Sequence, residues 1–491
     1  MFLTTELLLQ YQRCSRRAFL DIYGDLTQRD PPSDYLLKLI QDSAAHRRTV
    51  LTEYAWQQPT WPPRDWIAGG QATLEMMRQG VECIYQGILL RETPEGVTLV
   101  SQPDLLIKQP GQSYFGDWIY VPTEIRLGKR PKLEYQILAT FHTYVLAAVQ
   151  GAWPETSWLI LREKGAYEVD LWTLLPQMQT ILQECLQTLL APEAPEVFIA
   201  RNRCNLCGWL NYCSGVAQAQ RHLSLLPGVT ASRYTQLQAL DLVTVESLAS
   251  STPTRLETLP GFGPEVAQRL VWQAQAVLEN RAIAYPDKSP SGKPLNLSQE
   301  LPTAPVELYF DIEAEPDLNV AFLHGVLVVD RRTQQETFHP LLAERPEDEV
   351  LVWQQFLELV NDYPDAPIFH FCPYEPQTVA RLAKLYDTPS PWVRPLLSRF
   401  VDLHERVTRT VILPVESYAL KPIARWVGFD WRDAKANGAQ AICWYSQWLE
   451  TGDRAYLDAI VQYNEDDCRA TYQIKEWLVG FLQESLCSEL V

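Results

Sequence analysis

The sequence has no excess of positive charge: 42 lysines and arginines stand against 60 aspartates and glutamates, for a formal net charge of −18. Such a balance excludes a protein that coats nucleic acid by bulk attraction. Its start, MFLTTELLLQYQRCSRRAFL, lacks an apolar run long enough to span a bilayer, and no small-residue cleavage site follows a basic stretch. A cytoplasmic protein without membrane attachment is therefore expected. Low-complexity tracts and a solenoid period are absent too, which removes repeat architectures from consideration. What remains is ordinary globular composition, 46% hydrophobic and 21% charged, over 491 residues. That length suits roughly three domains of about 150 residues, each able to bury a core.

Cysteine is sparse, ten in all, and unevenly placed. RNRCNLCGWLNYC, residues 201–213, holds three of them. Cys204 and Cys207 form a Cys-x2-Cys pair that puts two thiolates on one turn, and Cys213, after five more residues, can fold back toward them. Together they offer three corners of a tetrahedral metal site, with no fourth ligand nearby in sequence. In a reducing cytoplasm such a cluster favours metal or redox chemistry over disulfides. Cys83, Cys185, Cys372, Cys443, Cys468 and Cys487 stand alone in apolar or helical contexts and are expected to pack.

Charge is segregated as well. Residues 1–220 carry about −4, residues 221–300 about zero and the remainder about −14. Basic residues gather at Arg13, Arg16 and Arg17, at His46, Arg47 and Arg48, at Arg126, Lys129, Arg130 and Lys132, and at Arg201 and Arg203. Brought to one face, they would form a phosphate-binding patch on an acidic protein.

Residues 284–305, AYPDKSPSGKPLNLSQELPTAP, hold five prolines and no apolar period, and read as a linker. Before it, residues 221–283 are helical in pattern, broken by LLPG and LPGFG. Residues 1–220 alternate helical stretches with strand-like runs such as GVTLVSQPDLLIKQ and TSWLILRE. Residues 306–491 open with the strand-like VELYFDIEAE, AFLHGVLVVD and APIFHFC before a mostly helical tail. The expected class is a multidomain α/β protein with a small all-α segment in its middle.

Three constellations carry chemistry. In the first segment Asp104 opens one strand-like run and Glu124 closes the next, with Arg126 two positions on and so on the same side. Two carboxylates at adjacent strand ends can share a divalent cation, whose bound water becomes a nucleophile near neutral pH. His46 lies upstream in a helical run, and Gln136 downstream in an amphipathic one. In the middle segment LETLPGFGPEVAQRLVWQAQAVL reads as helix, tight turn and helix. Gly261 and Gly263 let backbone N–H groups approach a phosphate closely, at a helix N-terminus opened by Pro264. In the last segment VELYFDIEAEPD aims Asp311 and Glu313 to one face of an apolar strand, where they would be costly to bury without a cation. Tyr463 and Asp467 sit four apart on one helical face, and Glu375 and Asp402 lie between. Four carboxylates from separated elements are the parts of a two-metal phosphodiesterase site.

The order of a His46-bearing helix, Asp104, Glu124-x-Arg126, a Gln136-bearing helix and Cys-x2-Cys-x5-Cys resembles the RecB-like branch of the PD-(D/E)xK nucleases. That branch includes the CRISPR adaptation nucleases with an iron–sulfur cluster. The resemblance implies a restriction-endonuclease-like domain over residues 1–220, with His46, Asp104 and Glu124 as metal ligands and Asp104, Glu124, Arg126 and Gln136 in the catalytic set. It also implies that Cys14, in YQRCSRR, joins Cys204, Cys207 and Cys213 around one [4Fe-4S] cluster. Four thiolates suit zinc equally well. Two positions depart from the pattern. Arg126 stands where the lysine of Glu-x-Lys is usual, with Lys129 a candidate substitute, and Arg47 follows His46 where many relatives carry an acid. Arginine does not readily give up a proton, though it can hold a phosphate.

Residues 221–283 resemble the helix-hairpin-helix unit of DNA-processing proteins, which implies backbone contacts of little sequence preference through Gly261 and Gly263. Asp-x-Glu, a middle acid and Tyr-x3-Asp resemble the DEDD exonucleases of the ribonuclease H-like superfamily. This implies a ribonuclease H-like domain over residues 306–491, with Asp311, Glu313 and Asp467 as ligands of Mg2+ or Mn2+. Glu375, preferred to Asp402, would be the middle acid, and Tyr463 would orient the attacking water. In that order the whole chain resembles the bacterial RecB-like nuclease family. The implied function is metal-dependent phosphodiester hydrolysis, by an exonuclease acting on DNA in repair, recombination or end processing, with a helicase as partner. Two alternatives rest on the same residues: a nucleic-acid-binding scaffold with degenerate centres, kept open by Arg126, and an RNA-processing 3′–5′ exonuclease that uses the C-terminal centre alone.

Overall fold

A computed structural model describes residues 1–285 and 301–488, with side chains through residue 484. The chain forms two compact units: Met1–Val197 with Arg201–Gly215, and Phe198–Ala200 with the chain from Val216 onward. Most of the expected linker, residues 286–300, lies outside the described residues. At its edges Ala284 belongs to a two-residue strand and Leu301 is buried.

The first unit is built on a five-stranded sheet in the order Cys83–Tyr85, Leu105–Ser113, Gly116–Arg126, Trp158–Leu161 and Gly165–Glu168. Its central strand runs antiparallel to Leu105–Ser113 and parallel to Trp158–Leu161. A central strand is covered on both faces, and residues 120–125 are accordingly buried without interruption. Helix Leu133–Gln150 packs against it, because Ile137, Leu138, Phe141, Val145 and Leu146 recur at helical spacing and bury. It stops where Gly151 takes the left-handed conformation, φ 68°. Thr4, Ser33, Asp65 and Asp170 each accept the third amide of the helix they open. Arg201–Gly215 returns to the start of the chain. Trp209 Nε1 donates to Asp21 at 2.8 Å, and Asn211 Nδ2 to Asp30 at 2.8 Å. Gly24 leaves room for the indole, since a Cβ there would lie 2.7 Å from Trp209.

The second unit holds a helical segment and a sheet. Helices Ala231–Gln238, Val245–Ala249, Pro253–Leu256 and Pro264–Glu279 enclose a core that includes Leu237, Leu248, Leu256, Leu270 and Val271. Gln273 ties the last of them to the following segment: its amide donates to the Leu413 carbonyl at 2.6 Å, and its oxygen accepts from Tyr418. Ile283–Ala284 pairs with Val411–Ile412 beside it.

The sheet's order is Gln335–Leu342, Val320–Asp330, Val306–Glu315, Ile368–His370 and Phe400–Asp402. The first three strands are antiparallel, and the last two join in parallel. Period-two alternation in VELYFDIEAE sends Leu308, Phe310 and Ile312 into one core with Trp353 and Phe356, and Tyr309 into the core of the opposite face. Asp311 and Glu313 share Tyr309's face by the same alternation, and the long helix Arg454–Ser488 packs there. Two strand acids thus lie under a helix that brings acids of its own. Among the described residues no helix is long and apolar enough to cross a membrane.

Candidate active site

Asp311, Glu313 and Asp467 meet between the strand and the helix. Among the described residues they are the one group of three or more His, Cys, Asp or Glu side chains whose ligand atoms all lie within 4.8 Å of one another. Glu313 and Asp467 are buried, and Asp311 is half-buried. Burial raises all three carboxyls. Mutual repulsion adds to it: Asp467, Glu313 and Glu375 push Asp311 higher, and Asp467 and Glu375 do the same to Glu313. Acids this close cannot all ionise without compensation. Part of it is local. Asn464 Nδ2 donates to Asp311 at 2.6 Å, Trp431 Nε1 donates to Asp467 at 2.6 Å, and the Tyr463 hydroxyl also bonds Asp467. Lys421 lies 5.1 Å from the ring centroids of both Trp431 and Tyr463 and donates to the Ala436 carbonyl. Its charge acts on both Asp467 and Glu313.

The two middle acids take different places. Asp402 opens helix Leu403–Thr410, and its Oδ1 accepts the amides of Cys372, His404 and Glu405. That is a helix cap. Glu375 is 3% exposed, sits 3.3 Å from His370 Nδ1, and bears electrostatically on Asp311 and Glu313. Burial raises its carboxyl, with His370 opposing.

In the first unit Asp104 immediately precedes strand Leu105–Ser113, Glu124 lies on the neighbouring strand Gly116–Arg126, and each of their oxygens meets a partner. Asp104 Oδ1 is 2.7 Å from Arg47 Nε, and its Oδ2 accepts the Ile125 amide at 2.8 Å. Glu124 Oε2 is 2.6 Å from Arg126 Nη2, and its Oε1 is 2.6 Å from His142 Nε2. The His142 ring is oriented by Ser101 Oγ, 2.7 Å from Nδ1. His46 instead bonds the Ile160 backbone, and burial pulls its imidazole down. Gln136 donates to the Pro131 carbonyl at 2.8 Å, and Lys129 pairs with Glu163 at 2.6 Å.

The cysteines gather where Arg201–Gly215 meets the first helices. Cys14 is an extended residue, φ −164°, that separates helix Thr5–Arg13 from helix Ser15–Tyr23. Cys14 stands close enough to Cys207 and Cys213 to bear on the ionisation of both, and Cys207 bears on that of Cys213. Burial pushes the Cys213 thiol up to about 11, against the pull of Arg16. Cys204 is joined to the group through its carbonyl, which accepts the Cys207 amide at 2.9 Å. All four are free of disulfides. In the hairpin Gly261 and Gly263 both take left-handed conformations, φ 81° and 89°. A Cβ at either would meet nothing within 4 Å, so conformation, not space, demands glycine there. Arg233 Nε holds the turn by donating to the Gly261 carbonyl at 2.9 Å.

Several of these groups carry no local motif. Asn464 adjoins Tyr463 in YNEDDC and could have been taken from that helix. Trp431, Lys421, His370 and His142 come from elements distant in sequence, and only folding brings them to the acids. A search of curated proteins finds no match to the chain. Residues 308–479 match the family model of the RNase_H superfamily. They include the acid-bearing strand, Glu375, Lys421 and the helix with Asp467, so the C-terminal part of the chain carries a ribonuclease H-like domain, which points to hydrolysis of nucleic acid.

Proposed function

We propose that the chain is a metal-dependent nuclease, an exonuclease acting on DNA, whose cutting centre is Asp311, Glu313 and Asp467 with Glu375 at its edge. The convergence of three carboxylate ligand atoms within 4.8 Å carries this reading. The donor set suits a hard divalent cation: it is all oxygen, and burial and mutual repulsion disfavour each anion until positive charge arrives. Mg2+ or Mn2+ bound there would activate a water and offset charge on the phosphate under attack. The chain's own groups do the positioning. Asn464 fixes the Asp311 carboxylate and Trp431 that of Asp467. Tyr463, bonded to Asp467, orients the attacking water. Lys421 meets a non-bridging oxygen of the phosphate.

The hairpin around Gly261 and Gly263 supports a substrate held by its backbone, with little sequence preference. Its likeness to units of DNA-processing proteins favours DNA over RNA. Cys14, Cys204, Cys207 and Cys213 would hold a [4Fe-4S] cluster or zinc, as the RecB-like resemblance implies, and Cys14 lies near enough to Cys207 and Cys213 to bear on both. They would staple the two ends of the first unit together.

The test is Asp311→Asn with Asp467→Asn. An amide fills the same volume, so the fold should survive. Hydrolysis of labelled single- and double-stranded DNA and RNA in Mg2+ or Mn2+ should fall by several orders of magnitude. Cleavage at the wild-type rate by this variant would refute the assignment.

A further inference from the structure

Arg47 and Arg126 are the two positions at which the first unit departs from the RecB-like pattern. They are also the two cations on its acid pair. Arg47 Nε is 2.7 Å from Asp104, and Arg126 Nη2 is 2.6 Å from Glu124. The remaining two oxygens are taken by the Ile125 amide and by His142. Ser101 Oγ lies 2.7 Å from His142 Nδ1, and His142 Nε2 lies 2.6 Å from Glu124 Oε1. Asp104 is 6% exposed and Glu124 3%, so the two carboxylates are buried, while the Arg47 and Arg126 side chains are half-buried.

Charge decides what such a centre can take. Two carboxylates face two guanidiniums, and the sum is zero before any ion arrives. Arginine stays protonated in proteins, so neither partner can make room by losing its charge, as a lysine could. A divalent cation would have to displace both arginines or leave a buried excess of two positive charges, which is strongly unfavourable. The cluster in the second unit is the opposite case: Asp311, Glu313 and Asp467 crowd together with Glu375 nearby, and Lys421 acts on Glu313 and Asp467. Each arginine substitution alone would leave one acid uncompensated. Together they close the centre.

We propose that Asp104, Glu124, Arg47 and Arg126 form a self-neutralised ion-pair centre in which the two guanidiniums stand where a divalent cation would, so that the first unit binds no metal there and the chain has one hydrolytic centre. The proposal rests on reading the Asp311 cluster as the cutting centre, and metal counting separates the two claims. Mn2+ bound by the full-length chain is measured by electron paramagnetic resonance, in wild type and in Asp311→Asn with Glu313→Gln and Asp467→Asn. Stoichiometric Mn2+ in wild type and its complete loss in the triple variant are expected, with no change made to the first unit. Mn2+ that persists in the triple variant and disappears when Asp104→Asn or Glu124→Gln is added would overturn the proposal. Wild-type protein that binds no Mn2+ would sink the two-metal reading while leaving this proposal standing.

The converse experiment takes the arginines away. Arg47→Met with Arg126→Met leaves both carboxylates without their cations, and should create a Mn2+ site that wild type lacks and that Asp104→Asn removes. Should the double variant keep the wild-type circular dichroism and still gain no Mn2+, the arginines do not hold the cation's place and the proposal fails.

Discussion

Gly325 stands opposite Asp311 in the antiparallel register, and Asn464 fills the space its missing side chain leaves: a Cβ on Gly325 would fall 1.6 Å from Asn464 Oδ1. Asn464 is fully buried and donates to Asp311 at 2.6 Å. The glycine marks a close approach of helix to strand, one of the few reasons for glycine inside a sheet. Gly325→Ala should therefore destabilise the chain by about 1–3 kcal/mol through overpacking. It should also break the bond to Asp311, a loss of about 1.5–3 kcal/mol, or roughly ten- to a hundredfold in rate. Adding Asn464→Ala should recover melting temperature but not rate. A Gly325→Ala chain with wild-type turnover would show that the hold on Asp311 is dispensable.

Lys421 offers a sharper division between folding and chemistry. Lys421→Met keeps an apolar stem against Trp431 and Tyr463 and removes only the charge. If the ammonium meets the phosphate, kcat should drop by roughly 10²–10³-fold with little change in melting temperature, and Lys421→Arg should restore part of the loss. A lower melting temperature with kcat untouched would make Lys421 a tie to the Ala436 carbonyl and nothing more.

What the sequence made legible follows the range of the interactions. Asp311 and Glu313 share a face because they are two apart on a strand, and Tyr463 and Asp467 because they are four apart on a helix; both are local facts. That the two pairs meet needs only that the helix cover the strand. Glu375 against Asp402 was a different kind of question, since both stand near helix starts. Their surroundings differ only once the chain is folded: three amides converge on Asp402, and Glu375 bears electrostatically on Asp311. Arg47 and Arg126 were each visible as departures, but their common target emerges only when residues 47, 104, 124 and 126 are folded together. The linker edges blurred for another reason: a strand of two residues, Ile283–Ala284, has no period to detect.

His324 should make the second unit sensitive to acid. It is fully buried on the strand face opposite the acids, with the rings of Phe310 and Phe356 5.8 and 5.5 Å away, and burial, with Arg381 adding to it, pulls its pKa down to about 3. The unfolded chain takes a proton on this residue below about 6.5, whereas the folded chain does not. Its contribution to stability is thus full above about 6.5 and declines as pH falls toward about 3, on the order of 1 kcal/mol per pH unit. Urea unfolding of wild type and His324→Leu across pH 7.5 to 4.5 should show the variant gaining relative stability as pH drops. Parallel curves would mean that His324 is protonated when folded.

The cysteines predict both a colour and an equality. Cys14 and Cys204 are 190 positions apart, and a shared metal centre would close that span. Protein purified without oxygen should be brown and carry about four irons if the centre is a cubane. Colourless protein with one zinc would keep the ligands and discard the iron. Cys14→Ser and Cys207→Ser should lower the melting temperature of the first unit equally, because each removes one ligand from the same staple. Neither should unravel the unit, since Trp209 still bonds Asp21 and Asn211 still bonds Asp30 without any metal. The staple and these polar contacts act on the same pair of segments, so their effects should not add. Trp209→Phe combined with Cys207→Ser is expected to cost more than the sum of the two singles, as either tie alone still holds the ends together. A harmless Cys14→Ser beside a damaging Cys207→Ser would remove Cys14 from the set and leave three cysteines in need of another partner.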